Sequence, residues 1–259
     1  MKLENKSVLI TGGGRGLGRA MALAMAREGA GVTVMSRSLE ELEAVADQIR
    51  TGGGNCLVSR GDVSKSEDVT RTVKQAVDRF STVDVLVNNA AIIGPVRLRE
   101  DADLKAWQKT IAVNLNGPCL CCRSVLPFMI QNGGGRIINI SSGLGEMPFP
   151  RFCAYSVSKA GIIQLTRSLS EEFPPFNIRV NAIDPGVMDT RMQEQIRSFG
   201  PEVLGKSVYK NFLEYKDKGG LKNPDEVASL AVVLASPESD RINGFNGTLS
   251  EYARMGYNA

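Results

Sequence analysis

This chain of 259 residues contains no histidine, one tryptophan and only five cysteines. Without histidine it lacks the commonest protein ligand of metals and the side chain that most often carries protons near neutral pH. An odd number of cysteines, with no secretory segment in the first ten residues, favours free thiols. No apolar run approaches membrane-spanning length. These absences predict a cytoplasmic protein with no membrane contact.

Charge of one sign is also scarce, since the formal net charge is only +3. The basic residues are scattered along the chain, which argues against a nucleic-acid partner. Three cysteines, Cys119, Cys121 and Cys122, lie close together. They lack a second pair of ligands, so they are typical of small buried hydrophobic residues rather than of a zinc site. We therefore expect no metal.

Short β-branched runs alternate with longer amphipathic segments, a pattern typical of parallel strands joined by crossover helices. Strands are predicted at 7–11, 32–36, 56–59, 83–87, 136–141 and 179–183, with a short last strand at 247–250. Ser64 and Glu67 have the spacing of a capping box that opens a helix. A later helical region is expected to be interrupted near Gly117-Pro118. The segment from about 188 to 222 breaks the alternation and predicts a helical flap.

A glycine-rich turn, Thr11 to Gly18, follows the first strand and precedes the first helix. Glycines let the backbone approach a pyrophosphate, and a helix N-terminus offers free N–H groups to it. The second strand ends in Ser36 and Arg37, without the carboxylate that holds the ribose of NAD in many such folds. Arg15 and Arg37 are predicted to flank a 2′-phosphate. This favours NADP(H), with NAD(H) possible; the alternative is two solvated arginines.

Tyr155 and Lys159 lie four residues apart, hence on one face of the predicted helix. An ammonium group beside a phenol favours the phenolate, so we expect Lys159 to lower the pKa of Tyr155 from about 10. Tyr155 would then serve as an acid or base near neutral pH. The alternative is an exposed tyrosine that packs on a lysine stem.

Taken together, these motifs resemble the short-chain dehydrogenase/reductase family in its single-domain form, including its 3-oxoacyl-carrier-protein reductase-like members. Beyond the glycine turn, the resemblance covers Asp62-Val63, Asn88-Asn89-Ala90 (with Ala91 where the family has glycine) and Pro185-Gly186 with Thr190. It implies one Rossmann-type α/β domain over residues 1–259, with a doubly wound parallel sheet, helices on both faces and a substrate flap. The cofactor-binding residues implied are Gly12, Gly14, Arg15, Gly16, Leu17, Gly18, Ser36, Arg37, Asp62, Val63, Asn89, Ala90, Tyr155, Lys159, Pro185, Gly186, Val187 and Thr190.

The resemblance also implies a catalytic group of Asn114, Ser142, Tyr155 and Lys159. Tyr155 would exchange a proton with the substrate oxygen, and Ser142 would orient that oxygen. Lys159 would also hold the nicotinamide ribose, and Asn114 would position a water. Ser142 is preferred to Ser141 only because it lies thirteen residues before Tyr155. Either serine could instead cap a helix, and Asn114 could be a buried amide bonded to its own helix.

The expected activity is hydride transfer between the nicotinamide and a carbonyl or secondary alcohol. The pocket is expected to be lined by residues 92–98, 143–153 and the flap, with one apolar wall made of Leu144, Met147, Phe149, Pro150 and Phe152. This wall suits a hydrophobic ketone or a 3-oxoacyl thioester, and Cys153 could border it. Oxidation of an alcohol and a non-catalytic NADP(H)-binding regulator remain alternatives. The family resemblance also implies a homodimer or homotetramer.

Overall fold

The computed structural model describes residues 1–96 and 103–257. Its centre is a seven-stranded sheet in the order β3-β2-β1-β4-β5-β6-β7, with every pair of neighbours parallel. The strands are β1 (Ser7–Thr11), β2 (Gly31–Ser36), β3 (Asn55–Arg60), β4 (Val85–Asn88), β5 (Gly135–Ile140), β6 (Ile178–Asp184) and β7 (Asn246–Thr248). The strand order reverses between β1 and β4, which opens a crevice at the carboxyl ends of these strands.

The helices alternate with the strands and cover both faces of the sheet. They are α1 (Gly16–Arg27), α2 (Leu39–Thr51), α3 (Ser66–Phe80), α4 (Leu104–Ile111), α5 (Gly117–Gln131), α6 (Cys153–Glu172), α7 (Arg191–Ser198), α8 (Gly200–Leu204), α9 (Lys206–Asp217), α10 (Pro224–Ala235) and α11 (Leu249–Arg254). Side chains alternate along β1, so Val8 and Ile10 join the core under α1, α2 and α10, whereas Leu9 joins the core under α3 and α5. The doubly wound α/β fold is confirmed.

The last strand is shorter than its sequence predicts. β7 ends at Thr248, and Leu249 and Ser250, which were expected in the strand, begin α11 instead. A capping box explains this: the Thr248 Oγ1 accepts the Glu251 N–H at 3.4 Å, and Glu251 accepts the Thr248 N–H at 2.7 Å.

The capping box predicted at Ser64 and Glu67 is wrong. The helix begins two residues after Ser64, and its N-cap residue Lys65 makes no capping bond with its side chain. The Ser64 hydroxyl instead donates to Asp62 Oδ1 at 2.7 Å. The hydroxyl that would cap the helix is thus already bonded to a nearby carboxylate. Glu67 stabilises the helix only as an acidic residue of its first turn.

The interruption expected near Gly117-Pro118 is a π-helical turn. It spans Ala112–Asn116 and links α4 directly to α5. A π turn inserts one extra residue per turn and often marks a functional site. Gly117 follows it and lies against Val63, whose Cγ2 would be 3.0 Å from a Cβ at that glycine.

The flap contains α7, α8 and α9, so the helical prediction for this segment is confirmed. Its two ends meet at an isolated bridge between Met188 and Lys222. The Lys222 N–H donates to the Val187 carbonyl at 2.9 Å, and the Asp189 N–H donates to the Lys222 carbonyl at 3.2 Å. Across the described ranges 1–96 and 103–257, every helix is too short or too polar to span a membrane.

Candidate active site

A cavity of about 930 Å³ lies at the carboxyl ends of the central strands. All residues predicted to bind the cofactor line it, as do Ser142, Tyr155 and Lys159 of the predicted catalytic group. Asn114 lies outside its wall. The structure therefore brings to one place residues that are separated by almost 180 positions in the sequence.

The glycine turn has a backbone that only glycine adopts easily. Gly12 and Gly16 have φ values of +66° and +52°. A Cβ on Gly18 would lie 2.2 Å from the Gly12 carbonyl oxygen, which leaves no room for any side chain. Gly12 and Gly18 therefore allow α1 to begin directly against the end of β1.

Asn89 fastens this turn to the end of β4. Its side-chain amide donates to the carbonyl oxygens of Thr11 and Gly12 at 2.9 and 3.2 Å. In return, Thr11 Oγ1 accepts the N–H groups of Asn89 and Ala90 at 3.0 and 3.1 Å. The asparagine thus fixes the shape of the glycine turn.

The N-terminus of α1 is suited to the diphosphate of a dinucleotide. Its N-cap residue, Arg15, makes no side-chain capping bond, and no acidic residue occupies the first turn. The first N–H groups of a helix lack partners within the helix and carry partial positive charge. Around Gly16 the nearest atom to an added Cβ would be Thr190 Cγ2 at 3.5 Å, so the backbone is open on this side. The residues present therefore fit a dinucleotide.

Arg15, Ser36 and Arg37 surround the region where β2 ends, as the sequence predicts. Sequence reasoning missed Glu41, on α2, which also lines the cavity there. Its Oε1 lies 3.0 Å from Arg15 Nη1 and 3.8 Å from Arg191 Nη1 on the flap. One carboxylate thus connects the glycine turn, α2 and α7.

Tyr155 is half-buried on the first turn of α6, in the wall of the cavity. Burial raises the pKa of its phenol to about 12, although a hydrogen bond with the Ser142 side chain acts in the opposite direction. The prediction of a lowered pKa is therefore wrong: desolvation of the phenolate raises the pKa of Tyr155, and the negative charge of Asp184 raises it further. Near neutral pH the phenol keeps its proton and can donate it.

Lys159 lies one turn further along α6 and is almost fully buried, with 3% of its surface exposed. Its Nζ donates to the Ile140 carbonyl at 2.6 Å and lies 5.5 Å from the centre of the Tyr155 ring. Burial lowers the pKa of Lys159 to about 8, and the nearby Asp184 opposes this change. The ammonium group is thus held against the end of β5, next to the Tyr155 ring.

Ser142 follows β5, and its Oγ accepts the Leu144 N–H at 3.3 Å. This is the capping contact that the sequence left as an alternative, and it coexists with the contact to Tyr155. Ser141 points elsewhere, since its hydroxyl is bonded to the Asn246 side chain. Both serines line the cavity, but only Ser142, the one predicted to be catalytic, contacts the Tyr155 side chain among the described residues.

Asn114, in the π-helical turn, links two other segments of the chain through hydrogen bonds of its side-chain amide. Its amide accepts the Ile92 N–H at 2.9 Å and donates to the Ile92 carbonyl at 2.9 Å. It also donates to Ser158 Oγ at 3.1 Å, and that hydroxyl donates to the Tyr155 carbonyl at 2.7 Å. Asn114 therefore joins the loop after β4 to the helix that carries Tyr155, and a role in positioning water stays a prediction.

The apolar wall is built differently from the prediction. Leu144 and Phe152 line the cavity, but Met147 is 69% exposed and lies outside the wall. Phe149 packs behind it, with its ring 5.8 Å from that of Phe152. Pro150 and Cys153 are exposed and also lie outside the wall. The flap completes the wall with Met188, Met192, Ile196 and Phe212, and the predicted lining residues 97 and 98 fall outside the described part of the chain.

Of the three clustered cysteines, Cys121 and Cys122 are buried as predicted, and burial raises the pKa of both thiols. The same prediction is wrong for Cys119, which is exposed. Asn88 donates to the Cys122 sulfur at 3.4 Å. Within residues 1–96 and 103–257, no group of three or more cysteine, aspartate and glutamate side chains is arranged to hold a metal ion.

Comparison with known proteins agrees with this geometry. Residues 6–200 match the family model described as short chain dehydrogenase. The chain is 34% identical over 251 residues to the (2S)-[(R)-hydroxy(phenyl)methyl]succinyl-CoA dehydrogenase subunit BbsD of Thauera aromatica, covering 94% of each chain.

Two solved structures are similar over nearly the whole chain. Levodione reductase has a TM-score of 0.88 and 29% identity, covering 98% of this chain and 100% of that one. NAD+-bound xylitol dehydrogenase has a TM-score of 0.85 and 28% identity, covering 96% of this chain and 99% of that one. The matched family model, which spans most of the sequence and includes the glycine turn, Ser142, Tyr155 and Lys159, shows that the chain belongs to the short-chain dehydrogenase/reductase family of oxidoreductases.

Proposed function

We propose that this protein is an NADP(H)-dependent carbonyl reductase in which Tyr155 is the general acid and base. The observation that carries the proposal is the meeting of Ser142, Tyr155 and Lys159 at one wall of the cavity whose other end is the glycine turn. A bound nicotinamide supplies or accepts the hydride, which is chemistry that no side chain performs.

The protein's own groups move and stabilise the proton. During reduction the substrate oxygen gains negative charge and takes the proton of the Tyr155 hydroxyl. Because burial raises the pKa of the Tyr155 phenol, the phenol is protonated and available for this step at neutral pH. Ser142 donates a hydrogen bond to the same oxygen, and the Lys159 ammonium stabilises the phenolate that remains. Asn114 supports the group by fastening α6 to the loop after β4.

Three features support a preference for NADP(H). Arg15 and Arg37 are exposed at the rim of the cavity, and Ser36 also lines the cavity. Guanidinium groups bind phosphates through strong, charge-assisted hydrogen bonds. Ser36 ends β2 and Arg37 follows it, so the carboxylate that would repel a 2′-phosphate is missing at this position. Glu41 weakens this preference because it pairs with Arg15.

The substrate half of the cavity favours a medium-sized, mostly apolar carbonyl compound. Its walls combine Ile93, Leu144, Phe152, Ile196 and Phe212. Two related proteins are named for levodione and for a phenyl-bearing succinyl-CoA. We propose a cyclic or aryl ketone, or a 3-oxoacyl thioester, as the substrate class.

Replacing Tyr155 with phenylalanine tests the proposed acid. We expect Y155F to lose about 10²- to 10⁴-fold in kcat while binding NADPH as tightly as the unmodified protein, because only the proton donor is removed. Consumption of NADPH with a panel of ketones and thioesters measures turnover, and quenching or enhancement of NADPH fluorescence measures binding. Tyr215→Phe, on the exposed face of α9, is the matched control. Undiminished turnover by Y155F would reject the role of Tyr155, and a protein that binds NADPH without turnover on any substrate would fit a regulator.

Replacing Arg37 with aspartate tests the cofactor preference. We expect R37D to bind NADPH at least about tenfold more weakly while its affinity for NADH changes little, because only NADPH carries the 2′-phosphate. Arg241→Asp makes the same charge change at an exposed site outside the cavity wall. Equal losses for both cofactors would contradict the 2′-phosphate role.

We also propose that the chain forms a homodimer or homotetramer, as members of its family often do. Sedimentation equilibrium at micromolar concentration measures this directly. A monomer under these conditions would refute the proposal.

A further inference from the structure

Asp184 is a carboxylate in the wall of the cavity that has no place in the proposed reaction. It is the last residue of β6 and precedes Pro185-Gly186. Its Oδ1 accepts the Gly186 N–H at 2.9 Å, which fixes the orientation of the carboxylate. Its Oδ2 lies 3.2 Å from the position that a Cβ would occupy on Gly143. In the described part of the chain, this second oxygen has no hydrogen-bond donor.

Strand pairing brings this carboxylate close to the proposed catalytic pair. Ile183, directly before Asp184, is the register partner of Ile140, whose carbonyl accepts Lys159 Nζ. The Ser141 N–H also donates to the Ile183 carbonyl at 2.9 Å. Since neighbouring strands are about 4.8 Å apart, Asp184 lies beside the strand end that holds Lys159.

The other charged groups around Asp184 come from the elements packed against it. Helix α6 contributes Tyr155 and Lys159. The base of the flap contributes Lys222, whose Nζ would lie 3.2 Å from a Cβ on Gly186. Glu146, after β5, accepts a hydrogen bond from Asn246 at 2.8 Å and is exposed. The ends of β5 and β7 present only uncharged side chains, namely Ser141, Ser142, Asn246 and Thr248.

We propose that Asp184 is the counter-ion of the Tyr155–Lys159 pair and holds both groups in their protonated forms. This inference rests on the proposed function, because it assigns the pair its working pH range. Asp184 is a positioning residue: it acts on substrate only through the two side chains of α6.

The electrostatics have the sign that this role requires. A negative charge stabilises an ammonium ion and opposes formation of a phenolate. Asp184 accordingly raises the pKa of both groups. For Lys159 it opposes burial, which lowers the pKa, and for Tyr155 it adds to burial, which raises the pKa. Oxidation needs the phenolate, so Asp184 delays oxidation to higher pH, whereas reduction at neutral pH is little affected because the phenol is already protonated there.

The experiment compares the unmodified protein with D184N and, as a matched control, Asp189→Asn in the exposed segment just beyond it. Asparagine keeps an oxygen for the Gly186 N–H but removes the charge. The first readout is the pH dependence of Lys159 acetylation, measured by mass spectrometry under competitive labelling, which needs no substrate. The second is the pH profile of alcohol oxidation and ketone reduction. Asp184→Ser replaces D184N if the latter does not fold.

We expect the labelling midpoint of Lys159 to fall by about one pH unit in D184N and to stay unchanged in the Asp189 variant. The rise of oxidation with pH should move down by a similar amount, while reduction below pH 7 changes less than about twofold. Active D184N with an unchanged midpoint would overturn the counter-ion role and leave the proposed function intact. A shifted midpoint in a protein that turns over no substrate would support the counter-ion role and reject the proposed function.

Discussion

The glycine turn and the flap face each other across the cavity, yet they are built in opposite ways. Helix α1 buries six residues, including Gly18, and is locked at close range to Gly12 and Asn89. The three helices of the flap bury one side chain each: Ile196, Leu204 and Phe212. The cofactor end is therefore held by backbone contacts with no spare volume, whereas the flap is held by a few apolar anchors.

This difference indicates how the two regions respond to change. A region fixed by backbone contacts tolerates almost no added atoms, because close-packed interiors transmit strain. A region held by few buried contacts opens locally at low free-energy cost. We expect substitutions that add atoms to the turn to abolish cofactor binding and to lower stability strongly. Substitutions in the flap should cause only partial losses of stability and activity.

The largest effect should come from adding one methyl group to the turn. Gly18→Ala places a Cβ 2.2 Å from the Gly12 carbonyl oxygen and 2.6 Å from the Asn89 amide. We expect a loss of about 3 kcal/mol in unfolding free energy and loss of NADPH binding, measured by denaturation and fluorescence titration. Gly52→Ala is the control, since its φ is −79° and its nearest contact would be 3.5 Å; it should change stability by less than about 1 kcal/mol. Equal behaviour of the two variants would show that the turn tolerates added atoms, and its expected difference from the flap would then be wrong.

An intermediate effect is expected from removing the flap's main anchor. The Phe212 ring lies 5.9 Å from the Phe152 ring and 6.2 Å from the Phe149 ring. Phe212→Ala should raise KM about tenfold and accelerate amide exchange in α9, because the anchor is lost locally while the sheet stays folded. Hydrogen-exchange mass spectrometry and steady-state kinetics test this.

Phe176→Ala, with 42% of its side chain exposed, is the control for that experiment. If Phe212→Ala instead unfolded the whole protein in one transition, the flap would be part of the same cooperative unit as the turn. The proposed distinction would then be wrong.

The smallest effect concerns Glu41, which links the two regions. Its ion pairs with Arg15 and Arg191 are exposed, and such pairs contribute about 0–1 kcal/mol. Glu41→Gln should leave stability within about 0.5 kcal/mol and tighten NADPH binding two- to threefold at low salt, because Arg15 is released towards the 2′-phosphate. Glu43→Gln, which removes an ion pair with Arg50, is the control. Weaker NADPH binding by the Glu41 variant would show that the carboxylate positions Arg15 for the cofactor.

The sequence predicted the elements whose patterns are local and repeated. Alternating β-branched runs located six strands, and the order of motifs located the cavity wall. Competition between hydrogen-bond partners and the degree of burial were not predictable. Ser64 was expected to cap α3, but its hydroxyl is taken by Asp62. The phenol of Tyr155 depends on burial more than on its helical neighbour Lys159, and burial is a tertiary property.

The sequence contains a signal for Asp184, because this residue immediately precedes the Pro185-Gly186 pair of the family motif. A carboxylate at the carboxyl end of a parallel strand is a candidate for function in this class of fold. Its proximity to Lys159 follows from the register of β5 and β6, which the sequence alone does not give.

The bridge between Met188 and Lys222 has a practical consequence for protein engineering. A segment whose two ends are neighbours can be cut out and replaced without stretching the chain on either side, whatever the length of the insert. The flap of a related reductase could therefore be transplanted between these two residues as one cassette. Chimaeras made in this way would exchange substrate range while inheriting the cofactor choice of the recipient.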